Sequence, residues 1–377
     1  MKKLLQQLQP EIVAIRHKIY ANPELAHQEK MTAALVADTL RKFGYEVTEG
    51  IAGTGVSALL DSGKPGKTVA LRADMDALLL ESGIMHVCGH DGHTATLLAA
   101  AGALIQCKDQ FRGRIKFIFQ PAEETGTGAA ALIAAGILEH PKVDAIFGYH
   151  NTPKTAAGVF KTRHGCMHAG QDVFTLTVKG KGGHGAQPHL TIDPIYISSL
   201  IIQALQGIVS RLTLPTEPVV ISVTQFHAGT THNVIPDEAI LNGTIRTITP
   251  TMRTLVKQRL AEIATGIAGT YGATCQVDFS YCFPPTLNSV AETNLAINTA
   301  IQVLGEANVA NIPEPSMASE DFSYYLEKVP GCFFWIGMGL EHLRIHSATY
   351  KFNDEIIPAA AEVLAQVAIN YLNSDTV

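Results

Sequence analysis

The stretch Met85–Thr94 reads Met-His-Val-Cys-Gly-His-Asp-Gly-His-Thr, and His86, Cys88, His90, Asp91 and His93 within it all carry donor atoms for a transition metal. Two glycines let the backbone bend around whatever those donors hold. Cysteine and histidine at this spacing suit a borderline-soft ion such as zinc, manganese, cobalt or nickel. The competing reading is a polar turn ahead of a helix, because Thr94–Leu104 is small, apolar and helix-prone. Turns rarely recruit three histidines, a cysteine and an aspartate together, so a metal site is the stronger expectation. A second candidate is the pair Glu123-Glu124. Adjacent residues at a strand end point to opposite sides, so one carboxylate can ligate a metal while its neighbour works as a general base. The pair also fits a solvated acidic turn at a helix N-terminus. His150 closes an apolar strand and His346 follows a glycine-rich loop. Each is weak alone, but a two-metal site must recruit such distant histidines.

The elements that would position these groups alternate. Residues 4–43 read as two helices broken at Asn22-Pro23, with Ile12, Ile15 and Ile19 on one face. Strands are predicted at Gly53–Asp61, Thr68–Asp74, Arg114–Gln120 and Val143–Tyr149, with helices between them. Three of these strands run into ligand-type residues: Asp74 and Asp76, then Glu123 and Glu124, then His150. Open α/β sheets place their sites beyond the carboxyl ends of strands, so the three could converge with Met85–Thr94. From Asp172 the pattern changes to strand, helix, strand, strand, helix, strand, ending at Pro284-Pro285, which is a ferredoxin-like α+β unit. The α/β style then returns, with a strand at Cys332–Met338 and a last helix at Pro358–Leu372. The expected fold class is α/β: a mostly parallel-sheet catalytic domain built from 1–163 and 284–377, interrupted by an inserted ferredoxin-like domain at 164–283.

Composition narrows the class. A chain of 377 residues suits two domains, and its 46% apolar residues leave no case for disorder. The net charge of −6 is spread without a basic stripe, which argues against a nucleic-acid partner. The uncharged runs Thr94–Cys107 and Thr125–Leu138 are too short to span a bilayer, so no membrane partner is expected. No secretory signal is legible at the N-terminus. Cys88, Cys107, Cys166, Cys275, Cys282 and Cys332 have no framework spacing and read as free thiols, which makes the cytoplasm the default location.

Six motifs occur in a fixed order: Cys88-Gly-His-Asp-Gly-His-Thr94, Gln120-Pro-Ala-Glu-Glu124, Lys181-Gly-Gly-His-Gly-Ala-Gln-Pro-His189, Asn233-Val-Ile-Pro236, Ser319-Glu-Asp-Phe322 and His346-Ser-Ala-Thr-Tyr350. Together they resemble the M20 metallopeptidase family, in particular its aminoacylase-like amidohydrolase branch, over nearly the whole chain. That branch includes hippurate hydrolases, plant auxin-conjugate hydrolases and N-acetyl-diaminopimelate deacetylases. The resemblance implies two divalent metal ions (zinc or manganese, with cobalt or nickel as further options) held by Cys88, His90, Glu124, His150 and His346. It implies Glu123 as general base and Asp74 as the carboxylate that orients a ligand. It also implies that His184 reaches into the site of a partner subunit to stabilise an oxyanion, and that Asn233 and Arg246 hold substrate. For these last two, a capped turn and a strand-face ion pair are equally good readings. Asp91 and His93 are expected behind the ligands or at the helix start.

The implied activity is hydrolysis of the amide bond of an N-acyl amino acid, in a homodimer joined through the inserted domain. A dipeptidase or a dedicated N-acetyl-diaminopimelate deacetylase is the alternative within the class, and a non-catalytic metal- or ligand-binding protein the alternative outside it. Two features depart from the family pattern. Only Ala77–Val87 separate the Ala-Asp-Met-Asp and Cys-Gly-His-Asp motifs, fewer than the family carries. The segment Arg163–His168 has extra histidines and a cysteine, read here as a polar hinge.

Overall fold

A computed structural model describes residues 1–374. The chain divides into two compact units: residues 1–167, 286–314 and 321 onward form the first, and 168–285 with 315–320 form the second.

The first unit begins with α1 (Lys2–Ala21), α2 (Lys30–Phe43), β1 (Val47–Ile51), β2 (Gly55–Asp61), β3 (Thr68–Asp74) and a short hairpin, β4 (Leu78–Leu80) with β5 (Gly83–Met85). Then come α3 (His90–Leu104), β6 (Arg114–Gln120), α4 (Gly128–Ala134), β7 (Ala145–Thr152), β8 (Phe160–Thr162) and β9 (Gly165–His168). The second unit holds β10 (Gly170–Lys179), β11 (Gly183–His184), α5 (Pro194–Gly207), β12 (Val219–Ala228), β13 (Val234–Ile235), β14 (Glu238–Thr247), α6 (Pro250–Thr270) and β15 (Thr274–Phe283). The chain returns to the first unit with β16 (Thr286–Asn288), α7 (Val290–Leu304), β17 (Val309–Asn311), α8 (Ser323–Leu326), β18 (Gly331–Gly337) and α9 (Ile357–Asn373).

The first unit is built on an eight-stranded sheet in the order β1-β2-β6-β3-β7-β18-β8-β17. Its central strands β6, β3, β7 and β18 run parallel, so their carboxyl ends share one edge. Strand β3 is buried at every position, as a central strand covered on both faces must be. Its side chains alternate: Val69, Leu71 and Ala73 join the core under α1, α3 and α9, whereas Ala70 joins the opposite core with Ala129 of α4 and Phe322. Helix α3 is buried along its entire length, and at Gly92 an added Cβ would lie 2.2 Å from the Phe352 ring. Only glycine fits that contact.

In the second unit, four antiparallel strands in the order β12-β14-β10-β15 carry α5 and α6 on one face. Phe174, Leu176 and Val178 face the helices, alternating with half-buried threonines of the same strand. Asp193 caps α5 by accepting from the N–H groups of Ile195 (2.9 Å) and Tyr196 (3.3 Å), with Pro194 at the first helical position. Asp172 on β10 accepts from Arg253 (2.8 and 2.9 Å) and Lys257 (3.0 Å) on α6, which ties sheet to helix.

Candidate metal centre

The carboxyl ends of β3, β6 and β7 and the start of α3 bring Cys88, His90, Glu123, Glu124 and His150 together, and the loop after β18 adds His346. Cys88 Sγ lies 3.3 Å from His150 Nε2 and 3.3 Å from His346 Nε2. Glu124 Oε1 lies 3.7 Å from His346 Nε2 and 3.8 Å from His90 Nε2. Glu123 Oε2 is 4.0 Å from His90 Nε2. In three overlapping groups, Cys88–His90–His150, Cys88–Glu124–His346 and His90–Glu123–Glu124, the donor atoms lie within 4.8 Å of one another.

Local backbone explains how they meet. Gly89 adopts φ +103° just before α3, and a Cβ there would come within 1.8 Å of Asn151 Oδ1, so the bend between Cys88 and His90 requires glycine. Ala122 (φ +57°) and His346 (φ +61°) are in the left-handed region without being glycine. The His346 N–H donates to the Val87 carbonyl at 2.7 Å, which ties that loop to the Cys88 turn.

Two of the imidazoles are oriented from behind. His90 Nδ1 faces the Asp76 carbonyl oxygen (3.0 Å) and Asp76 Oδ1 (3.2 Å), which fixes a proton on Nδ1 and directs Nε2 to the cluster. His150 Nδ1 bonds the Asn151 carbonyl at 2.7 Å in the same way. Asp76 also accepts from the N–H groups of Glu123 (3.1 Å) and Glu124 (3.0 Å). Asp74 Oδ2 lies 3.8 Å from His90 Nε2, but its hydrogen bonds go elsewhere. Its Oδ2 accepts from Arg72 at 2.7 Å, and its Oδ1 from His93 Nδ1 at 2.6 Å. His93 Nε2 in turn accepts from the Asn151 N–H at 3.1 Å. The carboxylate hydrogen-bonded to a candidate ligand is therefore that of Asp76, two residues beyond the one singled out in the sequence. Asp91 turns to α1, where its Oδ2 accepts from Arg16 at 2.8 Å.

The electrostatics are those of a site built for cations. Burial pushes the Cys88 thiol well above its usual range, and Glu124, Glu123 and Asp74 add to the shift. Burial raises Glu124 to about 7, against the lowering effect of His90. Burial would lower His90, but Asp74, Asp76 and Glu124 raise it to about 10. Burial lowers His93 to about 3, so it stays neutral as a donor to Asp74. His90 Nε2 and Glu124 Oε1 are buried without a hydrogen-bond partner. Orphaned buried polar atoms are costly, and here both face the same space as a thiol and two further imidazoles. The donor set, one thiolate, three imidazoles and a carboxylate, fits a pair of divalent metal ions with Glu123 beside them.

His184, Asn233 and Arg246 belong to the second unit. His184 is exposed on β11, and the Ala186 N–H donates to its Nδ1 at 3.1 Å, leaving Nε2 to carry the proton outward. Asn233 is its neighbour: its carbonyl accepts from the Gly185 N–H at 2.8 Å, and its side chain accepts from Thr231 at 3.2 Å. Arg246 donates to the carbonyls of Met317 (3.2 Å) and Ile245 (3.1 Å) and to the Thr244 hydroxyl. The ion-pair reading of Arg246 gives way to backbone anchoring.

Comparison with known proteins agrees with this geometry. The profile of peptidase family M20/M25/M40 matches residues 70–370. The chain is 41% identical to thermostable carboxypeptidase 2 of Saccharolobus solfataricus, covering 99% of this chain and 98% of that one. It is 39% identical to hippurate hydrolase of Campylobacter jejuni, covering 97% of each. Among solved structures, a dinuclear metal-binding M20 peptidase of Bacillus subtilis superposes with a TM-score of 0.85 at 32% identity, over 98% of this chain and 99% of that one.

Proposed function

The chain belongs to peptidase family M20/M25/M40 and is a metal-dependent amidohydrolase, and from that premise we propose that it removes the acyl group from N-acyl amino acids, with Glu123 as general base. The observation that carries this reading is the Glu123-Glu124 pair: Asp76 fixes both backbone N–H groups, so that Glu124 can join the ligands while Glu123 stands beside them. Cys88, His90, Glu124, His150 and His346 would hold two ions, zinc or manganese. When bound, these would supply Lewis acidity, lowering the pKa of water and polarising the amide carbonyl.

The protein's own groups do the rest. Glu123 accepts the proton of the attacking water and delivers it to the departing amine, a shuttle that requires its side chain to reach both atoms in turn. His184, with its proton on Nε2, is suited to donate to the developing oxyanion of a partner subunit's site. Asn233 and Arg246 would hold the substrate beside it. Support for a homodimer through the inserted unit comes from the exposed Val220 and Phe226 on edge strand β12 and from the exposed Ile195, Tyr196 and Leu212 at and after α5. All six cysteines are free thiols, which supports a reducing compartment, the cytoplasm.

One relative is a hippurate hydrolase, and hippurate is itself an N-acyl amino acid. The other is a carboxypeptidase, which favours peptides with a free carboxyl end as a second substrate class. Both substrates carry a carboxylate next to the scissile amide. The test is amine release from a panel of N-acetyl, N-benzoyl and longer N-acyl amino acids, dipeptides and N-acetyl-diaminopimelate, with manganese or zinc and a chelated control. Glu123→Gln, loaded with metal, is expected to lose roughly 10²- to 10⁴-fold in kcat. Wild-type rates from that loaded variant would overturn the assignment of the base.

A further inference from the structure

Two residues held in left-handed backbone without being glycine donate to one buried carboxylate. The N–H groups of Ala122 (φ +57°) and His27 (φ +60°) both reach Glu29 Oε1, at 2.9 and 3.0 Å. The Thr54 hydroxyl donates to Glu29 Oε2 at 2.5 Å. Glu29 is fully buried and stands at the N-cap position of α2, yet its side chain makes no cap bond to its own helix. Its acceptor capacity is spent on the turn that carries the catalytic pair.

That turn is held from two sides. Three successive N–H groups, those of Ala122, Glu123 and Glu124, point to buried carboxylates: the first to Glu29, the next two to Asp76. The far end of the turn is held by the same segment as Glu29, because His27 Nε2 pairs with Thr127 Oγ1 at 2.8 Å. A residue with a Cβ populates φ near +60° sparsely, and such a conformation persists only where its surroundings fix it. Release of the Ala122 N–H would let the backbone before Glu123 relax and re-aim both carboxylates.

We infer that Glu29 is a positioning residue of the reaction: it holds Ala122 in the left-handed conformation that aims Glu123 and Glu124 at the metal centre. The inference rests on the reading of Glu123 as base and Glu124 as ligand. The rival is a purely structural role, in which Glu29 merely fixes the connection between α1 and α2.

The experiment compares Glu29→Ala, Glu29→Gln and the double variant Glu29→Ala/Ala122→Gly. It reads kcat and KM on an N-acyl amino acid that the wild type hydrolyses, manganese affinity by competition with a chromophoric chelator, and folding by circular dichroism. Glu29→Ala is expected to lose roughly 10²-fold in kcat, as a misplaced catalytic group does, with KM moving less than about threefold. Glu29→Gln keeps the Oε1 acceptor, and its amide can donate to the Thr54 hydroxyl, so it recovers most of that loss. Glycine adopts φ > 0 without strain, so Ala122→Gly in the Glu29→Ala background recovers roughly tenfold. Manganese affinity follows the same order, because Glu124 moves with Glu123.

A folded Glu29→Ala protein that keeps wild-type kcat overturns the inference. So does a double variant in which Ala122→Gly restores neither kcat nor metal affinity, since a structural role would not be relieved at residue 122. If Glu29→Ala does not fold, Glu29→Asp withdraws the acceptor by one methylene and is judged by the same rescue. A wild type that hydrolyses no amide would refute the functional reading, while the order of metal affinities would still decide the role of Glu29.

Discussion

Replacing Arg72 by methionine should unfold the first unit at markedly lower denaturant. The Arg72 side chain is fully buried in β3 and donates to Gln120 Oε1 (2.8 Å), Asp74 Oδ2 (2.7 Å) and Asp321 Oδ1 (2.8 Å). Methionine fills much of the same volume, so the cavity contribution is small and the cost is electrostatic. Two carboxylates with no exposed surface lose their shared cation. Removing one partner from a buried ion pair costs about 3–5 kcal/mol. Each carboxylate keeps other donors: His93 for Asp74, and the Gln120 amide and Ala129 N–H for Asp321. That holds the loss to about 3–4 kcal/mol rather than the sum of two such pairs. The assay is urea unfolding of chelated protein followed by tryptophan fluorescence. The chain has one tryptophan, Trp335, and it lies on β18 of the same unit. The signal therefore reports this unit alone, even if the two units unfold separately. The midpoint should fall with little change in slope. Asp321→Asn in the Arg72→Met background should then cost less than it does in the wild type, because the charge it removes is already unpaired. A loss below about 1 kcal/mol, the worth of an ordinary exposed pair, would refute the account of a buried charge network.

Asp76→Ala should weaken manganese binding roughly 10- to 100-fold by freeing the His90 ring and the N–H groups of Glu123 and Glu124, and equilibrium dialysis would measure it. Unchanged affinity would mean that those groups orient themselves. In the second unit, burial raises Asp172, but Arg253, Cys282 and Lys257 together hold it below the usual carboxylate range. A carboxylate depressed in the folded state contributes stability that is present above its unfolded pKa and lost as pH falls through the folded one. Acid titration of wild type against Asp172→Asn should therefore show stability curves that converge below about pH 4 and separate above it; curves that stay parallel would exclude the linkage.

The main architecture was legible because its signals are local. Strand β6 reads from Arg114 to Gln120 in sequence and in structure, since a short apolar run flanked by a glycine and a proline has one reading. The ferredoxin-like order of the second unit was equally plain, because each helix carries its own start signal, Asp193-Pro194 and Thr249-Pro250. The helix expected after Glu124 is shorter than its alanine content suggested, covering only Gly128–Ala134, because the turn that presents Glu123 and Glu124 consumes its first residues. The donor residues of the candidate metal centre could be named from the motifs and the family resemblance they carry. What lies behind them could not. Asp74 and Asp76 are both acidic and end the same strand, and only the tertiary partners distinguish them: Arg72 and His93 for one, His90 for the other. Glu29 is further from legible, since its partner at Ala122 is remote in sequence and is marked by a backbone angle rather than by a residue type. The Ala77–Val87 segment, short against the family pattern, is resolved as the β4–β5 hairpin around Glu81-Ser82, with Leu79 exposed.

The placement of charge also separates this site from a structural metal knot. Asp74, Asp76 and Glu123 are all buried, and Glu124 nearly so. Asp74 shares the Arg72 guanidinium with Asp321, whereas Asp76 accepts from the neutral N–H groups of Glu123 and Glu124. Concentrated carboxylates in an apolar surround either hold protons or hold cations. Burial raises both Glu124 and Cys88, so metal binding is expected to displace protons, with affinity rising with pH. A closed structural site would use every donor as a ligand and leave none beside them. Here the Asp76 carboxylate fixes the backbone of two successive glutamates, the arrangement that the proposed roles of Glu124 as ligand and Glu123 as base require. On the proposed roles, the same hydrogen bonds would secure the ligand and set the distance at which the base works, so that a change at the Glu123 side chain is the one expected to separate binding from catalysis.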